Sequence, residues 1–217
     1  GSYQNALGQV KKMATGNRYT VFSLWDTFRA LNPLFTVTQP GRFTELINTM
    51  LAFYDENGLL PVWDLSACET NCMTGYHAIP VIADAILKNS KGINVEKAFT
   101  AMKTSAMQNI RGTDLYRQYG YIPKDKYGSS VTVTIEYAYD DWCIAQVAKK
   151  LGKEDDYKIF MQRSESWKKL FDPAMGFIRA KNSDGSWVNP FDPYLSEHDE
   201  HKAMYTEGNA WQHSFFV

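Results

Sequence analysis

Apolar positions spaced three and four residues apart recur along this chain, and the clearest set begins at Pro40. Phe43, Leu46, Ile47, Met50 and Leu51 share one helical face, with Pro40 at the start and Gly58 at the stop. Ile79, Ile82, Ile86 and Leu87 predict a second helix over 74–88. Val95, Ala98, Met102 and Ala106 predict a third over 95–108, with Asn94 as its N-cap. Tyr157, Phe160, Met161 and Ser164 mark another from Asp155 to Phe171. The stretch Val131–Ile135 alternates and is β-branched, which alone argues strand. The length of the whole segment and the stop at Gly152 argue instead for one long helix over about 131–151.

Weaker patterns fill the rest. Residues 3–14 read as a weak helix, and 18–35 as a short extended piece followed by a turn of helix at Trp25–Leu31. Residues 59–73 are loop-like. Residues 176–188 read as a small hairpin with Asp184-Gly185 at its turn, and 189–201 as an irregular loop before a final helix. Helices thus alternate with long loops rich in Trp, Asp, Glu and His. There is no βαβ rhythm. An all-α architecture follows, a helical toroid or bundle of antiparallel pairs with one chemically rich rim.

Composition narrows the function. The 217 residues carry 23 basic and 24 acidic side chains, a formal net charge of −1, with no Lys/Arg run. Nucleic acid and anionic membrane are therefore poor partners, and no apolar stretch is long enough to span a bilayer. Three cysteines, Cys68, Cys72 and Cys143, are too few and too oddly numbered for a disulfide framework and read as free thiols. Gly1-Ser2 reads as a tag remnant, so the N-terminus says nothing of compartment. Aromatics are 14% of the chain; most serve a core, but exposed rings can stack on sugar faces.

Four clusters carry candidate chemistry. Trp25, Asp26 and Arg29 could bind a polyhydroxylated ligand stacked on the indole, or Asp26 and Arg29 could form a local i, i+3 ion pair. Trp63, Asp64, Glu69, Asn71 and His77 fall in one loop and the helix start after it. Glu69 could instead serve a helix N-terminus, and His77 could be a satisfied core histidine. Glu136, Asp140 and Asp141 share a helix with Tyr137, Tyr139 and Trp142. Like charges there repel, so the cluster wants a cation, an arginine or sugar hydroxyls, unless it is a solvated face. Glu207 lies between Tyr205 and Trp211, where desolvation would raise its pKa for general-acid work; a helix-capping carboxylate is the plain alternative. Phosphate-loop and dinucleotide fingerprints are missing from the sequence, as is a Ser/His nucleophile motif. Carboxylates and tryptophans suit glycosidic-bond chemistry better than acyl or phosphoryl transfer.

The blocks SLWDTFRALNPL, GLLPVWDLSACETNCMTGYHAIPVIADA, IEYAYDDWCIAQVAKKLG, FDPAMGFIRAKNSDGSW and YTEGNAWQHSFFV resemble the catalytic region of glycoside hydrolase family 92, in order and over about residues 17–217. The resemblance implies part of an (α/α)6 toroid in a calcium-dependent exo-α-mannosidase, one that trims terminal mannose from N-glycans with inversion, of α-1,2 type. It implies that Glu207 is the general acid, that Asp26 holds the sugar next to the cleaved bond, and that Glu69 lines the same pocket. Trp25, Arg29, Trp63, His77, Asp140, Asp141, Asn209 and Trp211 would stand near the substrate. The family's general base is an aspartate in a block beyond the EGNAWQ block, and inversion needs two carboxylates about 6.5–9.5 Å apart. No such block follows here. The resemblance therefore implies an internal piece holding roughly half the toroid, inactive by itself, with an upstream β-sandwich and most Ca2+ ligands elsewhere in the parent. It also implies a periplasmic or secreted setting, mannose-containing glycans as partners, and self-association through uncovered helix faces. A non-catalytic carbohydrate-binding or scaffold piece is the alternative; an unrelated toroid such as a lyase or phosphorylase is a weaker one.

Overall fold

The computed structural model describes residues 1–199 and 201–216. They form two compact units: Gly1–Ala106 with Cys143–Tyr157, and Met107–Trp142 with Lys158–Val217.

The first unit opens on an antiparallel hairpin, β1 (Ser2–Gln4) and β2 (Val10–Lys12), where the weak periodicity predicts helix. Turn chemistry wins there. Asn5 Oδ1 accepts the N–H groups of Leu7 and Gln9 at 3.1 and 2.9 Å, and Gly8 takes a φ of 74°. The predicted turn of helix at Trp25–Leu31 is in fact two helices, α1 (Leu24–Thr27) and α2 (Leu31–Thr38). Pro33 explains the restart. In one continuous helix it would lack an interior N–H, whereas in the first turn of α2 none is needed. Helix α3 (Pro40–Asn57) has the predicted limits; Gly58 closes it at φ 79°, its N–H donating to the Tyr54 carbonyl at 2.8 Å. Phe43, Ile47, Met50, Leu51 and Phe53 are its buried face, packed against α2, α4 (Ala78–Leu87) and α5 (Val95–Ala106). Asn94 caps α5 as predicted, its Oδ1 accepting the Lys97 N–H at 3.0 Å.

The supposed loop at 59–73 contains two strands. β3 (Phe22–Ser23), β4 (Trp63–Leu65) and β5 (Cys68–Glu69) form a small antiparallel sheet in that order, with Ser23 opposite Trp63 and Asp64 opposite both Phe22 and Glu69. Its two-residue turn, Ser66-Ala67, has φ of 54° and 67°. Asn-Gly usually carries that left-handed pair, so Ser-Ala gives no hairpin signal.

In the second unit, α6 (Thr113–Tyr119) was not legible: it is short and lies between two glycines with φ of 75° and 72°. Helix α7 (Ser130–Lys150), whose residues 130–142 fall in this unit, confirms helix over strand. Val131, Val133 and Ile135 are buried, but so are Thr132, Thr134 and Glu136, so the alternation marks no sheet face. The threonines bond to backbone instead. Thr134 Oγ1 donates to the Ser130 carbonyl at 2.7 Å and accepts the Ile122 N–H at 2.9 Å. Helix α8 (Glu154–Ser164) ends earlier than predicted, in a 3₁₀ turn over Glu165–Lys169. The predicted hairpin forms around a bridge from Lys181 to Trp187, with the Asn182 N–H on the Ser186 carbonyl at 2.9 Å and the Val188 N–H on the Ala180 carbonyl at 3.1 Å; a separate pair, β6 (Phe171–Asp172) with β7 (Phe177–Ile178), precedes it. A last helix, α9 (Ala210–His213), follows. Tyr121, Val131, Ile135, Leu170, Ile178, Ala180, Met204, Tyr205 and Ala210 make this unit's core. The cysteines form no disulfide among the described residues; Cys143 is buried and the other two are exposed. No helix among the described residues is long and apolar enough to cross a membrane.

Candidate functional site

In the first unit, sheet pairing brings the separate motifs together. Ser23, the residue before α1, pairs with Trp63. Its hydroxyl donates to the carboxylate of Asp26, which is exposed on α1. The Arg29 guanidinium lies 5.5 Å from the Trp25 ring and 4.6 Å from the Phe28 ring. Phe28 in turn stacks on His77 at 4.0 Å and 15°. His77 is buried directly before α4, and its ring occupies the space over Gly75. Indole, guanidinium, phenyl and imidazole thus form one connected stack beside an exposed carboxylate.

Glu69 does not serve a helix N-terminus, since α4 begins at Ala78. Its carboxylate accepts three backbone N–H groups instead: Val62 at 2.7 Å, Trp63 at 3.0 Å and Asn71 at 2.8 Å. That ties the start of β4, at Trp63, to β5, which carries Glu69. Asp64 is fully buried in the same sheet, with Oδ1 3.4 Å from the Thr20 hydroxyl and Oδ2 without a hydrogen-bond partner among the described residues. Burial pushes its pKa up to about 6, against the opposing charge of Arg18.

In the second unit, Glu207 stands on a backbone that few residues tolerate, at φ 47°. Before it, Tyr205 is buried and donates its hydroxyl to the Ile178 carbonyl at 2.8 Å. After it, Asn209 and Gln212 form a reciprocal capping box on α9: Asn209 N–H to Gln212 Oε1 at 3.0 Å, Gln212 N–H to Asn209 Oδ1 at 3.3 Å. Asn209 is therefore the cap, and Glu207 is not. The expectation of a carboxyl buried among aromatics is corrected here. Glu207 is exposed, because Tyr205 points into the core and Trp211 packs edge-on against Phe177 at 4.8 Å and 86°. Glu207 lines a small cleft of about 60 Å³ with Ser129, Glu197, His198, Ala203 and Thr206. The Thr206 hydroxyl there is buried and has no hydrogen-bond partner among the described residues.

Asp140, Asp141 and Glu136 on α7 are all buried, which excludes the solvated acidic face. Asp141 has the arginine that such a cluster demands: Arg163 Nε lies 2.8 Å from its Oδ2. Burial pushes the Asp141 pKa up to about 7, with Arg163 opposing the rise. Among the described residues no group of three or more His, Cys, Asp or Glu side chains is arranged to hold a metal ion, so no chemical step is derived through calcium.

The model of the "Glycosyl hydrolase family 92 catalytic domain" matches residues 1–217. The chain belongs to glycosyl hydrolase family 92. Among solved family 92 structures it is similar to the α-mannosidase BT3965 of Bacteroides thetaiotaomicron in complex with mannoimidazole. Identity is 44% and the TM-score 0.95, over 100% of this chain and 29% of that one. It is also similar to the inverting mannosidase BT2199 of the same organism, at 32% identity and a TM-score of 0.84, over 94% of this chain and 28% of that one. An uncharacterized secreted glycosidase of Arthroderma benhamiae is 28% identical over 86% of this chain and 28% of its own length. The chain thus spans less than a third of these relatives, and its fold is that of the matching part of the family 92 fold: helix-rich, with small antiparallel sheets.

Within this family 92 chain, each unit gathers its own predicted residues. Trp25, Asp26, Arg29, Trp63, Glu69 and His77 belong to the first unit; Asp140, Asp141, Glu207, Asn209 and Trp211 belong to the second. Sequence reasoning missed Ser23 and Arg163, which hold Asp26 and Asp141. A serine three residues before an aspartate is a local signal that could have found Ser23; Arg163 gave no signal, because its partner is 22 residues away.

Proposed function

We propose that the full-length protein carrying this stretch is an exo-acting α-mannosidase that releases terminal mannose from N-glycans, of α-1,2 type, by inverting hydrolysis. Glu207 is the general acid that protonates the departing glycosidic oxygen. Asp26, beside Trp25, holds hydroxyls of the sugar being released, and the general base and most of the calcium ligands belong to parts of the protein outside this stretch. Family membership and the likeness to proteins described as α-mannosidases support the reading. The observation that carries it is local: an exposed carboxylate fixed at φ 47°, immediately before a reciprocal capping box. Such strain persists where the surroundings over-determine it, and it concentrates at active sites. The relative called a secreted glycosidase supports a place outside the cytoplasm.

The test is Glu207→Gln in the full-length protein. Hydrolysis of α-mannobiose, whose leaving group needs a proton, should fall by roughly 10²–10⁴-fold, the usual worth of a general acid. An aryl mannoside with an activated phenol as leaving group should lose far less. Equal losses on both substrates would remove Glu207 from the acid role.

A further inference from the structure

The irregular segment that leads to Glu207 is seated on the first turn of α7. Ser129 N–H donates to the Ala203 carbonyl at 2.8 Å and Val131 N–H to the Met204 carbonyl at 3.0 Å. The first N–H groups of a helix have no partner within it, so the 203–204 backbone satisfies them as a cap would. The next link reverses direction. Thr206 N–H donates to Oγ1 of Thr132 at 2.8 Å, and both residues are buried. The residue after that link is Glu207, at φ 47°. The next hold on the chain beyond it is the capping box at Asn209.

We propose that Thr132 is a positioning residue for Glu207: its hydroxyl oxygen, by accepting the Thr206 N–H, fixes the backbone on which the acid stands. The inference rests on the general-acid reading of Glu207. Without that acceptor a buried N–H is left unmatched, and the segment recovers only by moving. The left-handed residue beside it is where movement relieves strain most readily. A general acid must stay within hydrogen-bond reach of the oxygen it protonates. Thr132 is thus the last anchor before the acid, as the Asn209–Gln212 pair is the first anchor after it.

The experiment uses the full-length protein with Thr132→Val, nearly isosteric but without an acceptor, and Thr132→Ser, which keeps one. Glu207→Gln is measured beside them. For Thr132→Val, kcat on α-mannobiose is expected to fall on the order of 10²-fold, the cost of misplacing a reacting group by about 1 Å. KM should stay within about 3-fold, as for an interaction made only in the transition state. An activated aryl mannoside should lose much less, and Thr132→Ser should recover most of the rate. Equal proportional loss on both substrates, no loss on either, or no recovery in the serine variant overturns the proposal and leaves Thr132 a structural residue. Should Thr132→Val not accumulate as folded protein, Thr132→Ala is read by the same criteria. If Glu207→Gln depends on the leaving group while Thr132→Val does not, the positioning role alone fails. If Glu207→Gln shows no such dependence, the general-acid reading fails and this inference with it.

Discussion

A β-carbon on Gly75 would lie 2.2 Å from Nε2 of His77, and the residue's φ of 75° is one that side chains rarely adopt. His77 therefore takes its place because position 75 has no side chain, and Phe28 and Arg29 are layered on it in turn. Gly75→Ala should push the imidazole off Phe28 and destabilise the protein by about 2–4 kcal/mol, combining backbone strain with a displaced core ring. Thermal unfolding of the full-length variant checks this; a midpoint within a degree of the parent would show that the stack tolerates the methyl group. At this scale the sequence was informative about residue type more than role. His77 reads from sequence as either ligand or core, and the structure makes it a buried ring against Phe28. Glu69 is conspicuous in the sequence, but its carboxylate's three N–H partners come from backbone that no side-chain pattern advertises.

Helix α7 carries three buried carboxylates, and an element with that load needs partners from elsewhere. For Asp141 the partner is Arg163 of α8. Arg163→Met would fill similar space and remove the charge paired with the buried Asp141. Breaking a buried pair in this way costs roughly 3–5 kcal/mol. The loss should be smaller at pH 5 than at pH 8, because Asp141, with a pKa raised to about 7, is mainly protonated at the lower value. Denaturant unfolding of the full-length variant at both pH values measures the difference, and a pH-independent loss would refute the ion-pair account. Elements were legible where helical periodicity was sustained, as in α3 and α5, or where segment length and a glycine stop outweighed a strand-like alternation, as in α7. They were illegible where two or three residues suffice to make a strand, as at 22–23 and 68–69, because so short a run has no period to detect.

For the whole molecule, Asp64 and Asp141 both have folded-state pKa values above an ordinary carboxyl, about 6 and about 7. Each binds a proton more tightly in the folded state than in the unfolded one. Their contribution to stability is therefore complete below about pH 4, and it is lost as pH rises through about 6 for Asp64 and about 7 for Asp141. Asp64→Asn in the full-length protein should remove the lower part of that decline and flatten the unfolding midpoint between pH 4 and 6. A slope unchanged from the parent would show that Asp64 is not desolvated.

Helix content, the limits of α3 and α7 and the family followed from sequence, because periodicity, stop signals and motif blocks are local and survive in one dimension. Tertiary structure alone decided which distant groups meet: Phe28 with His77, Arg163 with Asp141, and Thr132 with the segment before Glu207. It also decided that Glu207 is exposed while Asp140 and Asp141 are buried. Burial and hydrogen-bond partners are set by chain segments distant in sequence, so no local pattern can encode them.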